Sequence, residues 1–357
     1  MFALKQFFRL FFYSIIFWSF AFCFFILIRY FARHQERVET EKLAEMVTAS
    51  EYLIFGVLLG VMVAIVYSIV EFIFDKFLSR ILHLGLILLV KSFIYLGFLI
   101  FSLTFIAHLA EAYIQVDFPN ERGWWISSKI FWLVTAYFIL CSLFFSFIRI
   151  SNNKFGRGVI LNMLLGRYRK PREVERILMF IDLKSSTTIA EKLGHLEYSK
   201  FIQDCFYYLN RTVDKYNAEI YQYVGDEAVL TWRVPQGFKR LNCLRIFFEY
   251  DRKLKKHSKY YIKKYGVVPE FKAGVHCGKI IITEVGTIKK ELAYHGDVIN
   301  TTSRIQELCN DYNESLLVSE ELLNHLNLSS KYKAESLGNE LLEGKTESLK
   351  LFAINKI

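Results

Sequence analysis

YQYVGDEAVLTW, residues 221–232, consists of two apolar, β-prone runs broken by Gly225, Asp226 and Glu227. A Gly-Asp step between such runs signals a tight hairpin, because both residues tolerate the backbone angles of a two-residue turn. A turn has no need of two adjacent carboxylates. The stretch therefore predicts a strand pair, Ala218–Val224 and Ala228–Trp232, and leaves the acids to be explained.

On either side of the hairpin the hydrophobic pattern alternates between strand and helix periods. Ile177–Ile181 reads as an apolar strand, and Thr188–Leu193 and Tyr198–Tyr216 as helices. A helix is expected over Leu241–Tyr265, strands at Phe271–His276 and Lys279–Thr283, a helix over Val298–Cys309, and late strands near Leu316 and Lys350. Mixed strands with crossover helices indicate an α+β or α/β sandwich. This globular part needs about 200 residues, enough for its own core.

The rest of the chain is of another kind. Overall 53% of the 357 residues are hydrophobic and 34 are Phe, too apolar for one evenly built soluble fold. The excess lies between Gln6 and Ile150. A membrane-crossing helix needs ~20 apolar residues, and four stretches qualify: 10–28, 52–74, 81–109 and 125–147. The first exceeds the apolar core of a secretory signal and no small-x-small cleavage site follows it, so it reads as an anchor. An all-α transmembrane region over residues 1–150, a linker over 151–174 with a short helix at Val159–Leu165, and a soluble domain over 175–357 follow. Lys91 interrupts the third span, as a snorkelling or helix-facing charge or as part of a sensing site.

An even number of spans leaves both ends on one side. Lys5, Arg9, Lys76, Arg80, Arg149, Lys154 and Arg157 mark that side as cytoplasmic, although Arg29, Arg33, Arg37 and Lys42 in the first outer loop dissent. The expectation is a multi-pass protein of the plasma (inner) membrane with a cytoplasmic soluble domain. Cys205, Cys243, Cys277 and Cys309 lack CxxC spacing, as reduced core cysteines do. The net charge of +10 owes much to Arg157, Arg167, Arg169, Lys170, Arg172 and Arg176 just after the last span, where membrane lipid is a nearer partner than nucleic acid. A second basic run, Lys253–Lys264, lies on an amphipathic helix and reads as a solvated or membrane-facing surface.

Chemistry concentrates in three short segments. In MFIDLKSSTTIAE, 179–191, Asp182 ends an apolar strand and hydroxyls precede a helix. Ser185–Thr188 can cap that helix, or the helix start can hold phosphate. A buried carboxylate is costly unless paired or bound to a cation. If Asp182 and Asp226 lie side by side, they form an oxygen-only site suited to Mg²⁺ or Mn²⁺. In ELAYHGDVINTTSRIQELC, 291–309, Asn300 and Arg304 are four residues apart and share a helix face.

FIDLKSST, YQYVGDEAVL and YHGDVINTTSR, in this order and spacing, resemble the catalytic domain of class III nucleotide cyclases, the adenylate and guanylate cyclase family. The resemblance spans about Glu175–Phe352 and implies an α+β ferredoxin-like domain. A GGDEF diguanylate cyclase shares a Gly-Asp-Glu turn, and the Asn300/Arg304 helix argues against it. The resemblance further implies that Asp182, Asp226 and the Leu183 carbonyl hold two metal ions per site, and that the turn Lys184, Ser185, Ser186, Thr187 wraps a triphosphate. Asn300 would orient the ribose and Arg304 would meet charge on the α-phosphate. Both would come from a second copy of the chain, in a homodimer. Glu227 is expected behind the site or in solvent.

Two positions depart from the adenylate cyclase pattern. Where a lysine and an aspartate or threonine are usual, this chain has Gln222 and Ala293, and the acidic-then-cysteine pattern of guanylate cyclases is absent too. ATP is the favoured nucleoside triphosphate, with GTP or a pyrimidine nucleotide as alternatives, and a degenerate, nucleotide-binding signalling module as a further one. In LEGKTESLKLF, 342–352, Glu343 stands where the phosphate-binding lysine of the family is expected, and Lys345 follows. A transporter reading is disfavoured, because the spans carry few charges beyond Lys91.

Overall fold

Long apolar runs have one stable form in hydrocarbon, a helix that satisfies its own backbone hydrogen bonds. The computed structural model describes residues 2–38, 49–78, 84–114, 123–155, 159–168, 170–288, 290–343 and 347–357. They fall into two units, Met1–Ser151 and Asn152–Ile357. The first holds α1 (Phe2–Val38), α2 (Ala49–Ile73), α3 (Leu84–Ile114), α4 (Trp124–Ser127) and the start of α5 (Lys129–Phe155). Phe7–Ala32, Leu53–Ile73, Leu89–Leu109 and Lys129–Arg149 are long and apolar enough to cross a membrane.

The fourth expected span, 125–147, is cut near its start. Ser128 is extended, and its Oγ accepts the Phe131 N–H at 3.2 Å, so α5 begins afresh there. Close packing of α1 on α2 depends on Gly60, where a Cβ would sit 2.4 Å from Ser19 Cα. Small residues of this kind let membrane helices approach backbone to backbone. Trp18, Phe22, Tyr67, Leu99 and Phe138 fill the centre of the bundle.

Lys91 turns inward. Its Nζ donates to Glu71 Oε2 at 2.9 Å, Arg149 Nη2 reaches the same oxygen at 2.5 Å, and the Tyr95 hydroxyl donates to Oε1 at 3.0 Å. One carboxylate, 4% exposed, therefore joins α2, α3 and α5.

The second unit contains α6 (Val159–Leu164), β1 (Arg172–Leu183), α7 (Ser186–Val213), β2 (Glu219–Val224), β3 (Glu227–Arg233), α8 (Val234–Phe238), α9 (Asn242–Lys256), α10 (Ser258–Tyr265), β4 (Phe271–Val285), β5 (Glu291–His295), α11 (Asp297–Glu307), β6 (Leu316–Ser319), α12 (Glu320–Asn324), β7 (Tyr332–Glu340) and β8 (Leu349–Lys356). The sheet runs β2-β3-β1-β4-β6-β8-β7, with β5 paired to β4. Among the described residues only β4 and β6 pair in parallel. The order β2-β3-β1-β4, with α7 and the α9–α10 pair as crossovers, is the ferredoxin-like α+β arrangement expected.

Side chains alternate across the strands. Ile177, Met179, Ile181, Ala273 and Val275 face the large core under α7, α9 and α10. Leu178, Ile280 and Ile282 face the other side, where Val298 of α11 packs. Six free cysteines are present, with Cys205, Cys243 and Cys309 buried.

Three expectations need correction. Phe271–His276 and Lys279–Thr283 form one strand, β4. Gly278 does not turn the chain; a Cβ there would meet Val298 Cγ2 at 2.7 Å, so the glycine makes room for α11. The helix expected over Leu241–Tyr265 breaks at His257, whose φ of −101° and ψ of 18° end α9 before α10 starts. Strands β5 and β7 were not anticipated. The basic run 253–264 keeps Lys255, Lys256, Lys259, Lys263 and Lys264 exposed, as a solvated surface requires.

Removing Glu71 strands two cations among apolar helices, which typically costs about 3–5 kcal/mol. Glu71→Ala is expected to lower the thermal unfolding temperature of the full chain in detergent by several degrees. An unchanged temperature would show that the Lys91–Glu71–Arg149 link contributes nothing.

Candidate active site

The hairpin that opened the sequence reading is present. Val224 pairs with Glu227 across a two-residue loop, and Gly225 takes a φ of 60° that favours glycine. Asp226 follows it in the loop. β1 lies beside β3 through pairs from Arg176–Arg233 to Ile181–Ala228, so the next residue of β1, Asp182, reaches the level of the turn.

Asp182 faces the α11 side of the sheet with Leu178 and Phe180. Its pKa is raised, first by burial and next by the charge of Asp226, and partly restored by Lys272. Lys272 is its cross-strand partner on β4, 8% exposed, with Nζ 3.4 Å from Asp182 Oδ2. Gln306 of α11 donates Nε2–H to the same oxygen at 3.3 Å. Glu227 belongs to this group: burial, then Asp182 and Asp226, push it up to about 7. Three acids thus crowd one corner of the sheet.

Burial and then the Asp226 charge push the Tyr198 hydroxyl up to about 12, with Ser186 acting the other way, so Tyr198 belongs to the surroundings of Asp226. Leu183, the last residue of β1, is buried. The Lys184 N–H donates to the Glu270 carbonyl at 2.9 Å, and its Nζ to Ser315 Oγ at 3.2 Å. Ser185 stands at the N-cap of α7 with a left-handed φ of 54° and no side-chain cap. The expected capping bond is therefore not made by Ser185, and Ser186 and Thr187 lie in the first turn of α7.

Asn300 and Arg304 share the α11 face away from the sheet, while Val298, Thr301, Thr302, Ile305 and Gln306 are buried. Arg304 Nη1 pairs with Glu307 at 2.8 Å and Glu343 at 3.2 Å. No hydrogen bond or ion pair among the described residues joins Asn300 or Arg304 to either aspartate. Gln222 is exposed on β2, and Ala293 lies on β5 opposite Thr283. Lys345 lies outside the described residues.

Whether such a corner suits a divalent metal follows from its donors. Two carboxylates and a strand-end carbonyl are hard oxygen ligands of the kind Mg²⁺ and Mn²⁺ prefer. Burial first and the Asp226 charge second raise Asp182, and a cation would offset both. Among the described residues no group of three or more His, Cys, Asp or Glu forms a metal cage. The donor set fits.

Residues 170–356 match the family model described as the adenylate and guanylate cyclase catalytic domain. The chain belongs to this family. Adenylate cyclase 2 of Rhizobium meliloti (strain 1021) is 36% identical over 199 residues, 56% of this chain and 55% of that protein. Adenylate cyclase of Anabaena cylindrica is 20% identical over 181 residues, 50% of this chain and 36% of that protein. The chain thus spans about half, or less, of the curated relatives' length. A bacterial light-regulated adenylyl cyclase shares the fold at a TM-score of 0.53 and 19% identity, covering 64% of this chain and 66% of that one.

Within this cyclase domain, Lys272, Gln306 and Tyr198 escaped the sequence reading. Lys272 carried a signal, a single charge inside the apolar run FKAGV. Gln306 and Tyr198 carried none, since polar residues at those helical spacings are ordinary.

α11 can lie on β4 only because Gly274 has no side chain; a Cβ there would fall 2.4 Å from the Gln306 nitrogen. Gly274→Ala is expected to push α11 outward, costing about 1–3 kcal/mol of stability. Glycine-like stability in that variant, measured by thermal unfolding, would mean that α11 is not held by this approach.

Proposed function

We propose that the chain is a membrane-anchored adenylate cyclase, converting ATP to 3′,5′-cyclic AMP and pyrophosphate at sites shared by two copies. The observation that carries the reading is the meeting of Asp182 and Asp226 at one corner of a cyclase-family sheet. The 36% identity to a protein named adenylate cyclase supports ATP as substrate.

In this reading the ribose 3′-oxygen attacks the α-phosphorus and the bond to the β-phosphate oxygen breaks. Mg²⁺ or Mn²⁺, two ions per site, held by Asp182, Asp226 and the Leu183 carbonyl, would lower the pKa of the attacking hydroxyl and neutralise the leaving oxygens. In the turn from Lys184 to Thr187 the Lys184 N–H is taken by the Glu270 carbonyl, which leaves the N–H groups of Ser185, Ser186 and Thr187 at the start of α7 to favour phosphate. Asn300 of the second copy positions the ribose. Arg304 exchanges Glu307 and Glu343 for the charge growing at the α-phosphate, which is preorganised electrostatic stabilisation. Gln222 faces the base edge, where its amide can donate or accept, and Ala293 supplies room. Lys345 is a candidate for the outer phosphates.

The anchor is proposed to sit in the plasma (inner) membrane with the cyclase domain in the cytoplasm. Residues 151–174, the expected linker up to the domain at 175–357, would pass changes in the four helices to the dimer.

Arg167, Arg172, Arg176 and Arg233 line a cavity of about 400 Å³ with Asn162, Tyr168 and Glu175. Such a cluster suits an anionic lipid headgroup. In nanodiscs, phosphatidylglycerol in place of phosphatidylcholine is expected to raise the unfolding temperature of the wild type but not of an Arg172→Ala/Arg233→Ala double variant. The same response from both chains would remove lipid from this cavity.

The central test is product analysis. The purified full chain is incubated with each nucleoside triphosphate and Mg²⁺ or Mn²⁺, and products are identified by mass; cyclic AMP from ATP is expected. Exclusive cyclisation of GTP or a pyrimidine nucleotide would replace the base assignment, and nucleotide binding without any cyclic product would make the domain a signalling module. Asp226→Ala and Arg304→Ala should each lose about 10²-fold or more in turnover. Co-expressed, they should recover about a quarter of wild-type activity, because mixed dimers keep one intact site. Absence of recovery would argue that one copy holds the whole site.

A further inference from the structure

The two base-reading positions each lie one residue from a tyrosine, and these tyrosines are locked together. The rings of Tyr221 and Tyr294 stack with centroids 4.1 Å apart and planes at 14°. The backbone N–H of Tyr294 donates to the Tyr221 hydroxyl at 3.1 Å.

Tyr221 sits where the β2–β3 register slips. Ile220 pairs with Leu230 and Gln222 with Val229, so Tyr221 is the extra residue of a bulge with no partner on β3. Bulges of this kind re-aim side chains. On the other side, Ala293 and Tyr294 of β5 pair with Thr283 and Ile282 of β4.

Among the described residues β2 is bonded only to β3, and β5 only to β4, so the two strands share no ladder there. Their separation would be free to drift with the sheet's two margins. The tyrosine stack ties them.

Base choice makes this tie consequential. Ala293 has no polar atom, which leaves the Gln222 amide to read the purine edge. That amide presents a donor and an acceptor and can rotate to suit adenine or guanine. It discriminates only if its backbone is held at a fixed distance from the opposing strand.

We propose that the Tyr221–Tyr294 stack is a base-discrimination clamp, which fixes Gln222 of β2 against β5 so that one purine edge is preferred. The inference rests on the cyclase reading above. Both tyrosines are positioning residues and touch no reacting atom.

The test compares kcat/KM for ATP and GTP in the full chain with Mn²⁺, for wild type, Tyr221→Ala, Tyr221→Phe and Tyr294→Phe. Wild type is expected to discriminate. Tyr221→Ala should lose about tenfold of that ratio, the worth of roughly one hydrogen-bonded contact. The loss should enter through KM for the preferred nucleotide, with kcat within about threefold of wild type. Tyr221→Phe, which keeps the ring and loses the acceptor, should fall between, and Tyr294→Phe, which keeps ring and backbone N–H, should match wild type.

An unchanged ratio in Tyr221→Ala, an equal fall for both nucleotides through kcat, or a wild type indifferent to the base overturns the clamp. If Tyr221→Ala does not fold, Tyr294→Leu, which removes the ring from the other side, carries the same expectation. Should the wild type cyclise neither nucleotide, the cyclase reading fails by itself. The clamp is then judged by the relative displacement of a fluorescent nucleotide by ATP and GTP. Identical relative affinities in wild type and Tyr221→Ala, or no binding at all, overturn it there too.

Discussion

Asp182 and Asp226 repel one another, and the rest of the soluble domain is arranged so that they cannot move apart. β1 is paired along both sides, to β3 and to β4, which leaves Asp182 no freedom to retreat. Asp226 is fixed by a loop of two residues whose first is a left-handed glycine. Burial and the neighbouring charge raise the Asp182 pKa, and a nearby cation would favour its charged form. Lys272 supplies part of the compensation to Asp182, and the raised Glu227 shows that it does not suffice for the whole corner.

The same geometry separates what one chain can hold from what it lacks. Asp182 ends β1 beside the loop that holds Asp226, and the start of α7 follows directly on Asp182 in the chain. Asn300 and Arg304 lie on the outer face of α11, and Arg304 is occupied by two glutamates. Under the function proposed above, the site is complete only when a second copy brings its α11, and activity then depends on dimer geometry. The first unit has its own charged centre at Glu71, which joins α2 to the helix leading toward the cyclase domain.

Much of this was readable in the sequence, for reasons that differ by residue. Gly225 and Asp226 announced the turn because a two-residue hairpin restricts its first position chemically. Asp182 stood out as a charge at the end of an apolar strand. Gly278 lies between the two strands read at Phe271–His276 and Lys279–Thr283, and it admits α11 without breaking β4. β5 and β7 were missed because both mix polar and apolar residues; β7 is an edge strand with an irregular step between Ser336 and Gly338. Gln306, Tyr198 and the Tyr221–Tyr294 stack depend on chain crossings that no local pattern encodes. Glu71 was passed over because its meaning comes from Lys91 and Arg149, 20 and 78 residues away.

The claim on which all else depends is that the two aspartates bind metal together with nucleotide. It is tested most directly by titrating Mn²⁺ into the full chain with a non-cyclisable ATP analogue and counting bound ions by electron paramagnetic resonance. The account predicts nucleotide-dependent uptake by the wild type and loss of most of it in Asp182→Asn. Equal uptake by both chains would contradict it.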